Sequence, residues 1–194
     1  MTRIVAINGS PRKRGNTDTV LDAFLRGAEE AGAFVSKQYL VDIDHKNCKG
    51  CNACHRNGKC VITDDLTPVF AEVLAADVLV LASPIYSMTV TAEMKSFIDR
   101  GQFLWAQKFV TKTLAFSQEH LASHTGVFLG TSGQAIPHIF DAAFPVVRAF
   151  FNDAGFSYTE NVLFPGMDSR GGVKGWPESV AEAQSEGKRI AKLI

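Results

Sequence analysis

Five short apolar runs alternate along this chain with segments whose apolar residues recur at helical spacing. The strand-like runs span residues 3–8, 34–39, 78–82, 126–130 and 158–164. Helical spacing is found within residues 21–28, 94–101, 140–151 and 176–190, and more briefly within 68–76. Several runs are nearly continuous in Val, Ile and Leu, as strands buried on both faces tend to be. We therefore predict a doubly wound, five-stranded parallel sheet in the order 2-1-3-4-5, with right-handed crossovers and helices on both faces.

The composition is that of an ordinary globular chain. Lys plus Arg and Asp plus Glu both number 20, so the formal net charge is zero. Binding to nucleic acid through phosphate neutralisation needs a basic excess, so we expect no nucleic-acid partner. The N-terminus has no signal-length apolar segment, and the apolar run at 78–82 is far shorter than a membrane span. We expect a soluble, cytoplasmic protein that forms one domain over residues 1–194.

The loop after the first strand has the composition of a phosphate site. It reads Gly9-Ser-Pro-Arg-Lys-Arg-Gly-Asn-Thr17 and leads into a helix that begins at Asn16 or Thr17, either of which can cap it. Its glycines allow a tight turn, its hydroxyls and basic side chains can bind an anion, and a helix N-terminus favours negative charge. It lacks the Gly-Lys-Ser/Thr ending of a nucleoside triphosphate loop and the G-x-G-x-x-G fingerprint of a dinucleotide loop. A mononucleotide phosphate fits, and a solvated turn is the alternative.

Two more loops of small and polar residues follow strands 3 and 4. Ser83-Pro-Ile-Tyr-Ser-Met-Thr89 could lay backbone amides and an aromatic side chain against a flat ring. Gly130-Thr-Ser-Gly-Gln134 ends the fourth strand. A simple strand-to-helix connection explains either loop alone. Together with the first loop, however, they place three such segments at one edge of the sheet, where ligands of this strand order bind.

Three segments resemble the NADPH-dependent FMN reductase and flavodoxin-like family: Gly9-Ser10-Pro11-Arg12-x-x-Gly15-Asn16-Thr17, Ser83-Pro84-Ile85-Tyr86 and Lys95-x-Phe97-x-Asp99-Arg100. The resemblance covers most of the chain and thins after about Gly133. It implies a flavodoxin-like fold with FMN as the cofactor, which spacing alone does not distinguish from another phosphorylated ligand. The phosphate contacts that it implies are Ser10, Arg12, Asn16 and Thr17. The ring contacts that it implies are Pro84, Ile85, Tyr86 and Ser87, with Ser132 and Gly133 approaching from the loop after strand 4.

All four cysteines lie in Cys48-Lys-Gly-Cys51-Asn-Ala-Cys54-His-Arg-Asn-Gly-Lys-Cys60. Clustered cysteines in a cytosolic chain indicate metal binding or redox chemistry more than a disulfide framework. Spacers of two, two and five are more compact than the paired knuckles of structural zinc. They are similar to the runs that hold a cubane iron–sulfur cluster, and Gly50 and Gly58 would let backbone N–H groups approach the sulfurs. Zinc and free or redox-active thiols remain open alternatives to a 4Fe-4S cluster.

The cysteine motif and the FMN loops together resemble the iron–sulfur flavoproteins, a subset of the same family. That resemblance implies the metal ligands Cys48, Cys51, Cys54 and Cys60. The surrounding charge supports it, because the stretch from His45 to Cys60 contains four Lys or Arg residues and no acid. The cluster loop, residues 45–65, is an excursion after strand 2 and leaves the sheet at the same edge as the flavin loops. We therefore expect electron exchange between the cluster and a flavin of the same or a neighbouring subunit.

Three functions are consistent with the sequence. The first is an FMN-containing electron-transfer oxidoreductase in which a 4Fe-4S cluster relays single electrons from a ferredoxin-type donor to FMN. The second is a cluster-free enzyme in which NAD(P)H reduces FMN, which then reduces a quinone, a nitro compound, a metal ion or free flavin. The third is a binding module whose cysteine loop is held by zinc. The resemblance implies a homodimer or homotetramer, and we expect no catalytic residue beyond the flavin. The apolar stretch 103–109 belongs either to the core or to a contact between subunits.

Overall fold

A computed structural model describes residues 1–193. The strands are β1 (Arg3–Asn8), β2 (Phe34–Tyr39), β3 (Val78–Pro84), β4 (Thr125–Thr131) and β5 (Ser157–Phe164). The helices are α1 (Asn16–Glu30), α2 (Cys54–Asn57), α3 (Leu66–Leu74), α4 (Ala92–Arg100), α5 (Gln102–Phe109), α6 (Gln118–Ser123), α7 (Ala143–Ala154) and α8 (Pro177–Ile190). Neighbouring strands pair in parallel in the order β2-β1-β3-β4-β5, which confirms the predicted sheet.

The core lies in two layers, one on each face of the sheet. Alternate residues of a strand point to opposite faces, so β1 sends Ile4 to one layer and Val5 to the other. Helices α1 and α8 cover the first face, while α3, α4, α5 and α7 cover the second. Burial on both faces explains why the central strands are so rich in Val, Ile and Leu.

Helix boundaries differ by a few residues from those that the apolar spacing indicated, and α7 spans Ala143–Ala154 where 140–151 was indicated. Apolar spacing indicated a helix over 68–76, whereas α3 spans Leu66–Leu74. The stretch 103–109, predicted as core or as an oligomer contact, forms most of α5. Leu104 is fully buried and Phe103 packs against the core, whereas the Phe109 side chain is 49% exposed. Within residues 1–193, no helix combines the length and the apolar character that crossing a membrane requires.

The loops after β1, β3 and β4 are held together at the carboxyl edge of the sheet. The Gly9 N–H donates to the Ala82 carbonyl at the end of β3, and the Thr91 hydroxyl donates to the Gly9 carbonyl. A Cβ atom at Gly9 would lie 2.8 Å from the Met94 Cβ, so only glycine allows α4 to approach this closely. The cysteine loop leaves the sheet after β2 and ends at α3.

Candidate functional site

A cavity of about 290 Å³ opens where the loops after β1, β3 and β4 meet. It is lined by Ser10, Arg12, Gly15, Asn16, Thr17, Pro84, Ile85, Tyr86, Thr131, Gly133 and Asp168. The structure therefore brings together eight of the ten residues predicted to bind FMN. The lining changes in character across the cavity, from hydroxyls and a guanidinium at the α1 side to an apolar and aromatic loop at the other.

The N-terminus of α1 faces this cavity without a side-chain cap. Gly15 occupies the N-cap position and is extended, with φ −79° and ψ −173°. The prediction that Asn16 or Thr17 caps the helix is wrong, because both side chains have tertiary partners. The Asn16 Oδ1 accepts from the Val173 N–H at 2.9 Å, and the Thr17 hydroxyl contacts the Thr131 hydroxyl at 2.6 Å. The first-turn amides are thereby left for an external anion.

A buried polar network beneath this loop fixes its shape. Asp18 is 1% exposed. Its carboxylate accepts hydrogen bonds from the Asn8 side-chain amide, the Arg14 backbone N–H and the Lys37 ammonium. The side-chain oxygen Oδ1 of Asn8 in turn accepts from the Ser10 N–H. Arg14 has φ +58°, a conformation that non-glycine residues rarely adopt, and its bond to Asp18 stabilises it there.

Replacing Asp18 by asparagine should destabilise the protein by about 3 kcal/mol at pH 7, because a buried carboxylate that accepts three donors is lost. Burial alone raises the pKa of Asp18, but the bonds from Arg14 and Lys37 outweigh it and hold the pKa below its ordinary value. The wild-type advantage should therefore be complete above about pH 4, and should shrink as the pH falls through the lower folded pKa. Urea unfolding across this range measures it.

Asp99→Asn is the matched control, since its Lys95 ion pair lies at the surface of α4 and contributes under about 1 kcal/mol. Equal stability of wild type and Asp18→Asn at pH 7 would contradict the assigned role of Asp18.

The loop after β3 presents Pro84, Ile85 and Tyr86 to the cavity, but not Ser87. Tyr86 and Thr89 exchange backbone hydrogen bonds around a tight turn. Ser87 and Met88 form the centre of that turn with φ +48° and +71°, and both are exposed. Such left-handed conformations in non-glycine residues cost energy and concentrate at ligand sites.

The loop after β4 presents Gly133 to the cavity, whereas Ser132 lies beneath the lining. Ser132 is 4% exposed and donates its hydroxyl to the Gln134 carbonyl, so its place in the structure is to shape the loop. Ser87 and Ser132, both predicted to contact the flavin ring, therefore do not line this cavity.

Three lining residues were not among the predicted contacts: Gly15, Thr131 and Asp168. Thr131 ends β4 and belongs to the loop 130–134 that was predicted to lie at the sheet edge, so its contact with the cavity could have been predicted. Asp168 lies 35 residues after Gly133 in a single 3₁₀ turn, Met167–Arg170. Backbone bonds from Met167 to Ser132 and from Asp168 to Gly133 place it there, and the sequence carries no sign of them.

The four cysteines line a second cavity, of about 30 Å³, beside the start of α5. All four thiols are free. Cys54 is buried, Cys48 and Cys60 are partly buried, and Cys51 is exposed. Burial raises the pKa of the Cys54 thiol, and the nearby sulfurs of Cys60, Cys48 and Cys51 raise it further. A cation bound among the sulfurs would oppose both effects and favour the Cys54 thiolate.

Both glycines of the cysteine motif have left-handed backbone conformations, Gly50 with φ +62° and Gly58 with φ +72°. Gly58 ends the single turn α2 and donates its N–H to the Cys54 carbonyl. A Cβ atom there would lie 2.7 Å from Gln107 Cγ on α5, and the Gln107 amide donates to the Gly58 carbonyl. Gly58 thus joins the cysteine loop to the core through α5.

The basic side chains of this loop lie in solvent, whereas its His55 is partly buried. Lys46, Lys49, Arg56 and Lys59 are all exposed. His55 has a tertiary contact instead. Its ring packs against Trp105 with the ring centres 5.7 Å apart, and its Nε2 is buried without a partner in the described chain.

The two cavities are separate sites in one chain, because they share no lining residue. Among residues 1–193, no three His, Cys, Asp or Glu side chains are arranged to hold a single metal ion. What the cysteine cavity offers is four sulfur donors around one space, with Lys49 also in its lining.

Residues 2–137 match the family of NADPH-dependent FMN reductases. The chain belongs to this family. The resemblance seen in the sequence is thereby confirmed, and the match takes in both the three cavity loops and the cysteine loop. An FMN-dependent NADH-azoreductase from Bacillus anthracis, solved with FMN, superposes with a TM-score of 0.69 over 98% of this chain and 100% of its own. At 15% identity that similarity shows the fold alone, which is flavodoxin-like as predicted.

Curated relatives of this FMN reductase family member include several iron–sulfur flavoproteins. One from Archaeoglobus fulgidus is 43% identical over 50% of this chain and 44% of its own length. Another from the same organism is 27% identical over 98% of this chain and 96% of its own. The chain spans about half the length of most of the curated relatives that it matches.

Proposed function

We propose that this protein is an FMN-containing electron-transfer oxidoreductase whose cysteine loop holds a 4Fe-4S cluster. The observation that carries the proposal is the convergence of Cys48, Cys51, Cys54 and Cys60 on one cavity, in a chain that also has a phosphate-type cavity at its sheet edge. The proposed electron source is a one-electron donor of the ferredoxin type.

The first cavity fits FMN by its donor set. An uncapped helix N-terminus, the Arg12 guanidinium and the hydroxyls of Ser10 and Thr17 suit a phosphate dianion. Pro84, Ile85 and Tyr86 would bind the ring, and Gly133 would allow its close approach from the other side. Asp168, exposed at the rim, offers an acceptor to hydroxyl groups of the sugar-like chain.

The cysteine cavity fits a cluster by its sulfur ligands and by its charge. Four thiolates around a 4Fe-4S core carry a net negative charge, which increases on reduction. The four basic residues between His45 and Cys60 are exposed, Lys49 lines the cavity, and this stretch contains no acid. The names of the curated relatives support the same assignment.

When bound, FMN stores one or two electrons and a 4Fe-4S cluster carries one, so together they connect a one-electron donor to two-electron chemistry. The chain itself contributes binding, orientation and charge. Its basic loop would attract an acidic carrier protein, because complementary charge speeds association. We further propose a homo-oligomer in the cytoplasm, which would shorten the path between a cluster and a neighbouring flavin.

A second function, a cluster-free NAD(P)H-dependent flavin reductase, is favoured by the family match and by the separation of the two cavities. In that case the flavin site works alone, and NAD(P)H takes the place of the carrier protein. A zinc-held binding module is the third.

Composition of the anaerobically purified protein separates the three functions. Our proposal predicts about one FMN, four irons and four sulfides per chain. FMN without iron or zinc would favour the cluster-free reductase. Stoichiometric zinc with neither sulfide nor FMN would favour the binding module, and either of the last two results would overturn the proposal.

A further inference from the structure

Arg100, the last residue of α4, ties together the two ends of the cysteine run. It is 3% exposed. Its Nη1 donates to the Lys46 carbonyl at 2.7 Å, and its Nη2 donates to the Ile62 carbonyl at 3.3 Å. Lys46 lies two residues before Cys48, and Ile62 lies two residues after Cys60. The Arg100 guanidinium therefore holds the two ends of the cysteine run together.

Asp64 holds the Arg100 guanidinium in place. Both carboxylate oxygens accept from it, in a two-pronged ion pair that is almost completely buried. Asp64 also accepts from the backbone N–H of Lys46 and from that of Leu66, the first residue of α3. The pair thus joins the cysteine loop to α3 and α4. Its two parallel hydrogen bonds require the planar guanidinium of arginine.

One donor of Arg100 has no partner among the described residues. Arg100 lines the cysteine cavity together with all four cysteines. Its Nε is buried and has no hydrogen-bond partner anywhere in residues 1–193. A buried donor without a partner is costly, and native structures usually satisfy it.

We propose that Arg100 is a positioning residue of the cysteine site, which holds the ends of the loop together and donates its Nε–H to a sulfur of the filled site. This rests on the proposed 4Fe-4S function. A cation and an N–H donor beside the sulfurs stabilise the more negative, reduced form of a cluster, so Arg100 raises the reduction potential of the site.

The charge around Arg100 agrees with this role. Burial lowers the pKa of the guanidinium, but Asp64 and then Cys60 outweigh that effect and raise the pKa above its ordinary value. Arg100 is therefore a permanent cation that is paired with the Asp64 carboxylate at the wall of the cysteine cavity.

Arg100→Lys tests the proposal, because lysine keeps the charge but loses the fork and the Nε–H. In metal-free, reduced protein, alkylation of Cys54 by iodoacetamide should become faster by about tenfold, since the loop opens more often. In cluster-loaded protein, iron should pass to a chelator about tenfold faster, and the midpoint potential of the cluster should fall. FMN content should not change.

Lys95→Gln is the matched control, since it removes an exposed cation from the same helix. An Arg100→Gln/Asp64→Asn double variant, which leaves no buried charge unpaired, replaces Arg100→Lys if that variant fails to fold. Unchanged alkylation, chelation and potential would overturn the proposal, as would equal effects in Lys95→Gln. If wild-type protein holds no cluster, the proposed function fails, while alkylation of Cys54 still decides whether Arg100 holds the loop.

Discussion

Replacing Cys54 by alanine should remove the iron–sulfur cluster and leave FMN bound. Cys54 is the most buried of the four thiols and begins the turn α2 at the cysteine cavity. Because no residue of that cavity lines the phosphate cavity, the loss of one ligand should not reach the flavin. Iron and sulfide should fall from about four each per chain to near zero, or to a smaller cluster. Metal analysis and flavin fluorescence of anaerobic protein measure both.

Arg56→Ala is the control for Cys54→Ala. Arg56 lies in the same turn, is exposed and lines neither of the two cavities, so its loss should spare the cluster. Full iron and sulfide in Cys54→Ala would remove this cysteine from the ligand set. Loss of FMN together with iron would show that the two sites are not separable.

The double variant Arg12→Ala/Thr17→Ala should bind FMN about 100-fold more weakly than wild type, a loss of about 3 kcal/mol. Arg12 supplies a charged donor to the cavity, and Thr17 supplies a hydroxyl from the first turn of α1. Titration of apo-protein with FMN, followed by flavin fluorescence, measures the change. Riboflavin, which lacks the phosphate, should bind wild type and variant equally.

Lys13→Ala is the control for the phosphate site. Lys13 is a cation of the same loop, but it pairs with Asp42 and does not line the cavity. Its loss should change FMN affinity by less than about threefold. If Arg12→Ala/Thr17→Ala kept wild-type affinity for FMN, the phosphate would lie elsewhere.

The sheet could be predicted because its central strands are buried on both faces and are therefore rich in apolar residues. The run at 78–82 is apolar throughout, and every one of its residues is fully buried. The convergence of the cysteines was also visible, since spacers of two residues leave the chain little freedom to part them. The local sequence was enough to predict both the central strands and the grouping of the cysteines.

Contacts between distant segments could not be predicted in the same way. Asp168 reaches the phosphate cavity through backbone bonds to the loop after β4, and such bonds are independent of side-chain identity. Arg100 belonged to a motif already noted, but its bonds to Lys46 and Ile62 span 54 and 38 residues. The prediction that Asn16 or Thr17 caps α1 was wrong for a similar reason, because their side chains bond to distant residues instead of to the helix N-terminus.

The central claim is that the cysteine site passes electrons to the flavin, and reduction kinetics test it most directly. Reduced ferredoxin and dithionite are each mixed anaerobically with wild type and with Cys54→Ala, and flavin bleaching is followed. The account predicts that Cys54→Ala loses the ferredoxin-driven rate by more than about tenfold, while the dithionite rate stays within about twofold. A ferredoxin-driven rate in Cys54→Ala equal to that of wild type would contradict it.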